Sequence, residues 1–343
     1  MKLARVRLDS VEAESLLASA RDYLGAVKAF EDLVSLDRAT TYLPLLPDIV
    51  REFADRLRSD DERTVGFVMS GVRFGALAAT PTPRSFGEYE SDERSRLANA
   101  VVFLCAAAVG TPFCFASQQQ ARLVLDVFPL PGHEVDQLGC SSTTILDWHN
   151  EDAFHPLRAD YSLLLCIRND QSAATRLIAA ADLRLDGEVE AQLRTPQFAI
   201  VPDISHSYSY NFSTSGVAAG SEAAFRRVGE LARCIPRTAV LTGDRDDPQI
   251  RVDFPYMPQE LHSPAANSAL AALRRTLQEN SGTPLVLTPG DILIFDNRRC
   301  VHGRDGFRAR YDGTDRWLRR LNISRDSSAL EGSRVTPETL RVA

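Results

Sequence analysis

The 343-residue sequence has no stretch approaching 18 uninterrupted apolar residues, which argues against a membrane-spanning helix. Its apolar run at 100–110 is too short to span and reads as a buried helix. The first 24 residues lack a continuous apolar segment and carry several acids, so no secretory leader is expected. A basic stripe is missing as well. Net charge is −7, and the arginines are spread along the chain apart from a cluster after residue 298. Neither nucleic acid nor a membrane surface is an expected partner. The cysteines, Cys105, Cys114, Cys140, Cys166, Cys234 and Cys300, show no CxxC pairing and sit mostly in apolar runs. Buried free thiols and a cytoplasmic location follow as expectations. There is no GxSxG elbow, which removes the main support for a hydrolase.

What is present is an ordinary globular composition, 44% apolar and 25% charged, in a chain long enough to bury a large core. Helical spacing marks 11–24, with Ser10 as its cap, and 47–57 and 93–109. Residues 64–69 read as a strand closed by Gly71, and 79–90 as a loop. From about 112 the texture changes to short strands: 113–117, 123–128, 160–168, 197–201, 238–242, 249–254, 284–287, 291–295 and 316–323. One helix, 266–279, interrupts them. Residues 204–236 have no clear period and read as a lid-like insertion. The last dozen residues read as disordered. The expected fold is mainly β with flanking helices, a sandwich of jelly-roll type. It is expected as one domain over 1–343, with a helical N-terminal segment (1–110), a β core of about 112–326 and the insertion 204–236. The oligomeric state stays open.

Chemistry concentrates in two segments. Asp147-Trp148-His149-Asn150-Glu151-Asp152 contains an H-x-E pair, and His302 lies 151 residues beyond Glu151, beside Gly303 and just past a buried strand. Two imidazoles and one carboxylate on one face of a first-row divalent ion leave three positions open. That arrangement suits Fe(II) in an oxygenase, with a bidentate 2-oxo acid on two positions and O2 on the third. H-x-E alone is weak, because a turn with two polar residues produces it by chance. Arg316, fourteen residues after His302, strengthens it. In a strand, Arg316, Leu318 and Arg320 share one face. Two guanidiniums facing a closed core require anions. The distal carboxylate of 2-oxoglutarate is one such anion, and the α-carboxylate of an amino acid is another.

The set His149, Glu151, His302 and Arg316 resembles the clavaminate synthase-like branch of Fe(II)/2-oxoglutarate-dependent oxygenases. Within that branch the likeness is to arginine hydroxylases of peptide-antibiotic biosynthesis, of the viomycin-pathway 3-hydroxylase type. It is carried by residues 148–156, 158–161, 296–304 and 310–320, and it runs from about 60 to 326. The resemblance implies a double-stranded β-helix (cupin-like) fold, iron on His149, Glu151 and His302, and 2-oxoglutarate gripped by Arg316 with help from the Thr175 hydroxyl. It also implies a free L-amino acid as substrate. Its α-carboxylate would sit on Arg320, its amine near Gln118 and Glu151, and its distal end on Asp253. The family pattern has a second aspartate two residues after that last position, where this chain has Pro255. Arginine, citrulline and lysine all remain open as substrates, as do C3 and C4 as the carbon oxidised, and desaturation as an alternative outcome. A ligand-binding β-sandwich without redox chemistry is the reading from a different class, opposed by the complete triad and Arg316.

Overall fold

The computed structural model describes residues 2–59 and 64–343. The first long helix, Ser10–Ala26, is capped by Asp9 rather than by the expected Ser10. The Asp9 carboxylate accepts from the Val11 and Glu12 amides, and Glu12 reaches back to the Asp9 amide, a capping box. Its inner face buries Leu16, Leu17, Ala20 and Tyr23, and the Tyr23 ring stacks on Phe103 of the helix Glu93–Val109. That second helix is buried almost all round because it lies between the outer helices and a sheet.

The sheet beneath it has eight strands. Its order is Lys2–Arg7, Thr64–Ser70, Ile292–Asp296, Tyr161–Arg168, Trp317–Ser324, Thr111–Phe115 and Arg341–Val342, and Leu125–Val127 also pairs with Trp317–Ser324. The pairs at the two ends are parallel and the remainder antiparallel. A second, antiparallel sheet runs Thr283–Leu285, Thr175–Ala179, Cys300–Arg304 and Leu146–His149. The two sheets share a core: Val68, Leu164, Leu293 and Phe295 of the large one meet Leu177, Leu285 and Cys300 of the small one. Leu163, Leu165, Ile292 and Ile294 point the other way, into the helices. Because both faces are covered, these strands read as continuous apolar runs rather than as alternation. Gly290 opens the strand Ile292–Asp296 at φ +91, and a Cβ there would lie 1.9 Å from the Val72 carbonyl oxygen, so only glycine fits.

The structure departs from the sequence expectations in several places. Lys2–Arg7 is a strand, and with Thr64–Ser70 it carries some of the N-terminal segment into the large sheet. Residues 204–236 are not irregular: they form the helices Tyr208–Thr214 and Glu222–Arg233, linked through glycines. The first is too short to display a period. The 238–242 and 249–254 strands shrink to Arg237–Thr238, Leu241–Gly243 and Pro248–Ile250, and Phe254–Tyr256 is a 3-10 turn. The last dozen residues are ordered, with Arg341–Val342 hydrogen-bonded alongside Thr111–Phe115. Five cysteines are free and buried, and Cys234 is free and exposed. Among the described residues no helix is long and apolar enough to cross a membrane.

Candidate active site

His302 does not end a strand as expected. It sits in the middle of Cys300–Arg304, directly across from His149, the last residue of Leu146–His149. Cross-strand partners are close neighbours, and here the two ring centroids are 4.1 Å apart. Glu151 lies two residues beyond His149, where the chain has left the strand, and its Oε1 comes 3.2 Å from His302 Nε2. One donor atom from each of the three falls within 4.8 Å of the others. The His149 Nδ1–H donates to the Asp147 carbonyl at 2.8 Å, which leaves Nε2 with a free lone pair. Burial and the neighbouring His302 push the His149 pKa down to about 4, so its ring is neutral. Burial alone would raise the Glu151 carboxyl, but Arg320 and His302 outweigh it and hold the group well below the usual carboxylate range. Two imidazoles and an ionised carboxylate in a buried cluster are a donor set that fits Fe(II).

Two asparagines lock these segments together, and sequence reading missed both. Asn150, the middle residue of H-x-E, is fully buried. Its amide donates to the Asn297 and Cys300 carbonyls at 2.6 and 2.8 Å and accepts from the Val252 amide. Asn297 answers by accepting from the Glu151 amide at 2.8 Å and donating to the Ala159 carbonyl. In sequence each looks like an ordinary turn residue. Only their partners, about 150 positions away, reveal the role.

An inner cavity next to the triad is lined by Thr175, Leu164, Arg304, Arg316 and Leu318. Arg316 and Arg320 share the cavity face with Leu318, as strand alternation requires. Arg319 points the opposite way and is 1% exposed, ion-paired to Asp126 at 3.1 Å and lying over Trp317. Arg316 is 5% exposed and donates to the Thr175 hydroxyl at 3.2 Å, while its Nε has no partner. No carboxylate of the described residues pairs with it. Burial brings its pKa down to about 10, which still leaves it charged at neutral pH. Arg304, which the sequence reading did not single out, lies in the same cavity. It is held by the Ser141 hydroxyl at 3.0 Å and the Thr144 carbonyl at 3.1 Å, against the Phe307 ring. Burial and Arg316 push it down to about 9. Two buried guanidiniums without acids make a cavity that calls for an anion. The other arginines of the cluster after 298 are used elsewhere: Arg298 pairs with Asp160, and Arg299 with Asp247.

An outer cavity opens beside it, lined by Gln118, Asp203, Ser205, Tyr210, Asp253 and Tyr256. Arg320 stands between the two cavities, ion-paired to Glu151 and donating to the Gln118 Oε1 at 3.3 Å. Gln118 in turn donates to the Ser205 hydroxyl at 2.8 Å. Burial pushes the Asp253 carboxyl well above its ordinary value, with Asp203 and Glu151 adding repulsion. Asp203 is also pushed up, by burial first. Among the described residues neither has an arginine or lysine within ion-pair distance. Every sequence-predicted site residue therefore faces one of two adjoining cavities. Ser205 and Tyr210 join them from the segment that the sequence left without structure, and Asp203 joins from just before it.

Comparison with known proteins agrees with this geometry. The profile of the taurine catabolism dioxygenase TauD, TfdA family matches residues 192–322. An enduracididine beta-hydroxylase of Streptomyces hygroscopicus is 38% identical over 305 residues, 87% of each chain. An L-ornithine/L-arginine 3-hydroxylase of Catenulispora acidiphila is 35% identical over 339 residues, 97% of this chain and 96% of its own. The crystal structure of the non-heme iron oxygenase OrfP with Fe, succinate and (3S)-hydroxy-L-Arg superposes with a TM-score of 0.88 at 33% identity, covering 99% of both chains. The fold and site define an Fe(II)- and 2-oxoglutarate-dependent oxygenase, with O2 as the further co-substrate. The chain belongs to the TauD/TfdA family of Fe(II)/2-oxoglutarate oxygenases, and its relatives include amino-acid hydroxylases and, at 27% identity, clavaminate synthase 2 of Streptomyces clavuligerus.

Proposed function

We propose that this chain hydroxylates a free L-amino acid with a cationic side chain, L-arginine first among candidates, at C3 or C4. In this reading His149, Glu151 and His302 hold the iron, and Arg316 and Thr175 hold 2-oxoglutarate. The observation that carries it is the unpaired, buried Arg316 guanidinium in the same cavity as the three clustered donors. Fe(II) with 2-oxoglutarate and O2 supplies the oxidising power, inserting one oxygen into a C–H bond while 2-oxoglutarate becomes succinate and CO2.

The chain's own residues supply position. Arg320 offers its guanidinium to the substrate α-carboxylate, which competes with Glu151 for it. Gln118 and Glu151 receive the α-amine. Asp253, with Asp203 nearby, takes the distal cation, and among the described residues neither acid has an arginine or lysine partner of its own, which supports a cationic ligand between them. The likeness to an enduracididine beta-hydroxylase and an L-ornithine/L-arginine 3-hydroxylase supports the same substrate class. The role of enduracididine in the first name supports a place in antibiotic biosynthesis. We read the two facing sheets as a double-stranded β-helix, the chain as one catalytic domain, and 204–236 as its lid. Ser205 and Tyr210 line the outer cavity, which supports the lid. The five buried free thiols suit a cytoplasmic setting.

The test is succinate formation with Fe(II), across the standard amino acids plus ornithine and citrulline. Arginine or ornithine should stimulate it most. Citrulline as the best substrate would overturn the cationic assignment. Mass analysis of the product should show a gain of one oxygen, and a loss of two hydrogens would make the enzyme a desaturase.

A further inference from the structure

Behind the outer cavity lies a buried chain of polar side chains that the proposed chemistry does not use. The His206 ring is 0% exposed and wedged between Phe115 and Phe154. Its Nδ1 is 2.7 Å from the Ser117 hydroxyl and its Nε2 is 2.9 Å from Asp152 Oδ1. The second Asp152 oxygen accepts from the Asn322 amide at 2.9 Å. With Nε2–H donating to the Asp152 carboxylate, Nδ1 accepts the Ser117 hydroxyl proton, so both ring nitrogens are engaged. Asp152 sits at φ +52, a conformation that aspartate tolerates better than most residues and that these bonds hold in place.

Two bland readings fail. Serine, histidine and aspartate in this order resemble a hydrolytic triad, yet neither Ser117 nor His206 lines a cavity, so no acyl group reaches the hydroxyl. Asp152, Asp203 and His206 also lie close enough together to suggest a second metal, but both ring nitrogens of His206 are already engaged.

The informative feature is where the chain attaches. Ser117 precedes Gln118, Asp152 follows Glu151, and His206 follows Ser205. Asn322 is two residues along the strand from Arg320, on the same face. Each member is thus covalently next to, or one strand repeat from, a residue facing the proposed substrate. A second buried residue, Asn211, reinforces the arrangement by donating to the Ser117 and Ser205 carbonyls at 2.8 and 2.7 Å.

We propose that His206 is a positioning residue for the amino-acid substrate. Through Ser117 and Asp152 it fixes the start of the 204–236 segment against the metal-bearing turn. It thereby sets Gln118, Glu151 and Ser205 for a single substrate pose. This rests on the reading of those three as substrate-facing. A loosened network leaves the inner cavity and its Arg316 intact, so co-substrate binding persists while the amino acid is held poorly. 2-Oxoglutarate is then turned over without matching hydroxylation, the oxygen atom that does not enter succinate being reduced to water by two electrons from an added reductant such as ascorbate.

The test uses the full chain with Fe(II), 2-oxoglutarate, L-arginine and ascorbate as the reductant for uncoupled turnover, measuring succinate and hydroxylated product together. His206→Phe should raise the KM for arginine on the order of tenfold and lower the product-to-succinate ratio, with the KM for 2-oxoglutarate within about twofold of wild type. Ser117→Ala, which removes one hydroxyl and keeps the imidazole, should shift both in the same direction by less, and it serves as the test if the phenylalanine variant does not fold. His206→Gln, which keeps a donor for Asp152, should restore part of the ratio. An unchanged ratio, or two KM values that move together, would overturn the proposal. Wild-type protein that makes no succinate with any amino acid would instead overturn the functional reading beneath it.

Discussion

His149 and His302 are a directly opposed pair on neighbouring antiparallel strands, and their rings converge because a sheet places such partners side by side. The metal site is thus one rung of a β-ladder extended by Glu151. Replacing His302 with alanine removes one ligand and leaves the ladder hydrogen bonds, which are backbone. The variant should fold with a near-native melting temperature, retain little iron after dialysis, and lose activity by about 100-fold or more. Full iron content in that variant would exclude His302 as a ligand.

Among the described residues Arg316 has no acid to pair with, and in the proposed reading its charge is reserved for a ligand. Arg316→Gln should raise the KM for 2-oxoglutarate by an amount equivalent to about 2–5 kcal/mol, as for loss of one partner of a buried charge pair. The KM for the amino acid should change far less. Arg304→Gln should act in the same direction more weakly, since its two terminal nitrogens already bond to Ser141 and Thr144. Steady-state kinetics varying one substrate at a time separates these outcomes.

Asp253 sets the distal preference in this reading. Asp253→Asn removes a charge-assisted hydrogen bond to a guanidinium, about 1.5–3 kcal/mol, and leaves an amide suited to a ureido group. The ratio of kcat/KM for arginine to that for citrulline should fall by roughly 10- to 100-fold. A ratio that stays constant would remove Asp253 from the specificity pocket.

Asp203 should trade stability for binding. Burial raises its carboxyl above the ordinary 3.8. The folded state therefore keeps this proton to a higher pH than the unfolded chain does. As pH rises past the ordinary value the unfolded chain ionises first and stability falls, and the loss is complete once the folded group ionises. Asp203→Asn escapes that loss and can still accept the Ser205 bonds. It should melt higher than wild type at neutral pH, converge with it below about pH 4, and bind arginine more weakly. A lower melting temperature at neutral pH would contradict the assignment.

Much of this was legible in the sequence because it depends on local spacing. The H-x-E pair and the alternation of Arg316, Leu318 and Arg320 are properties of a few consecutive residues. The long helices announced themselves through apolar periodicity, with the cap of the first misplaced by one residue, from Asp9 to Ser10. The pieces that stayed hidden depend on partners far away in the chain. Leu146–His149 and Thr175–Ala179 are too short to stand out from turns, and they become strands only against Cys300–Arg304. The same holds for Lys2–Arg7, which is defined by its neighbour Thr64–Ser70. Arg304 looked like one more member of a solvated cluster, and only its place in the inner cavity separates it from Arg298 and Arg299, which pair with Asp160 and Asp247. His206 fell in a segment whose short helices carry no readable period, and Asp203 in the connection just ahead of it.

The crossed amides of Asn150 and Asn297 have a consequence for how iron is handled. They clasp the two metal-bearing segments with no help from the ion. Where a zinc finger collapses once its metal is withdrawn, this protein should survive chelation, its circular dichroism and melting profile nearly unchanged. Activity should return on adding Fe(II) back under anaerobic conditions. Metal scarcity would then idle the enzyme instead of destroying it, and a pool of folded apoprotein could be recharged without new synthesis.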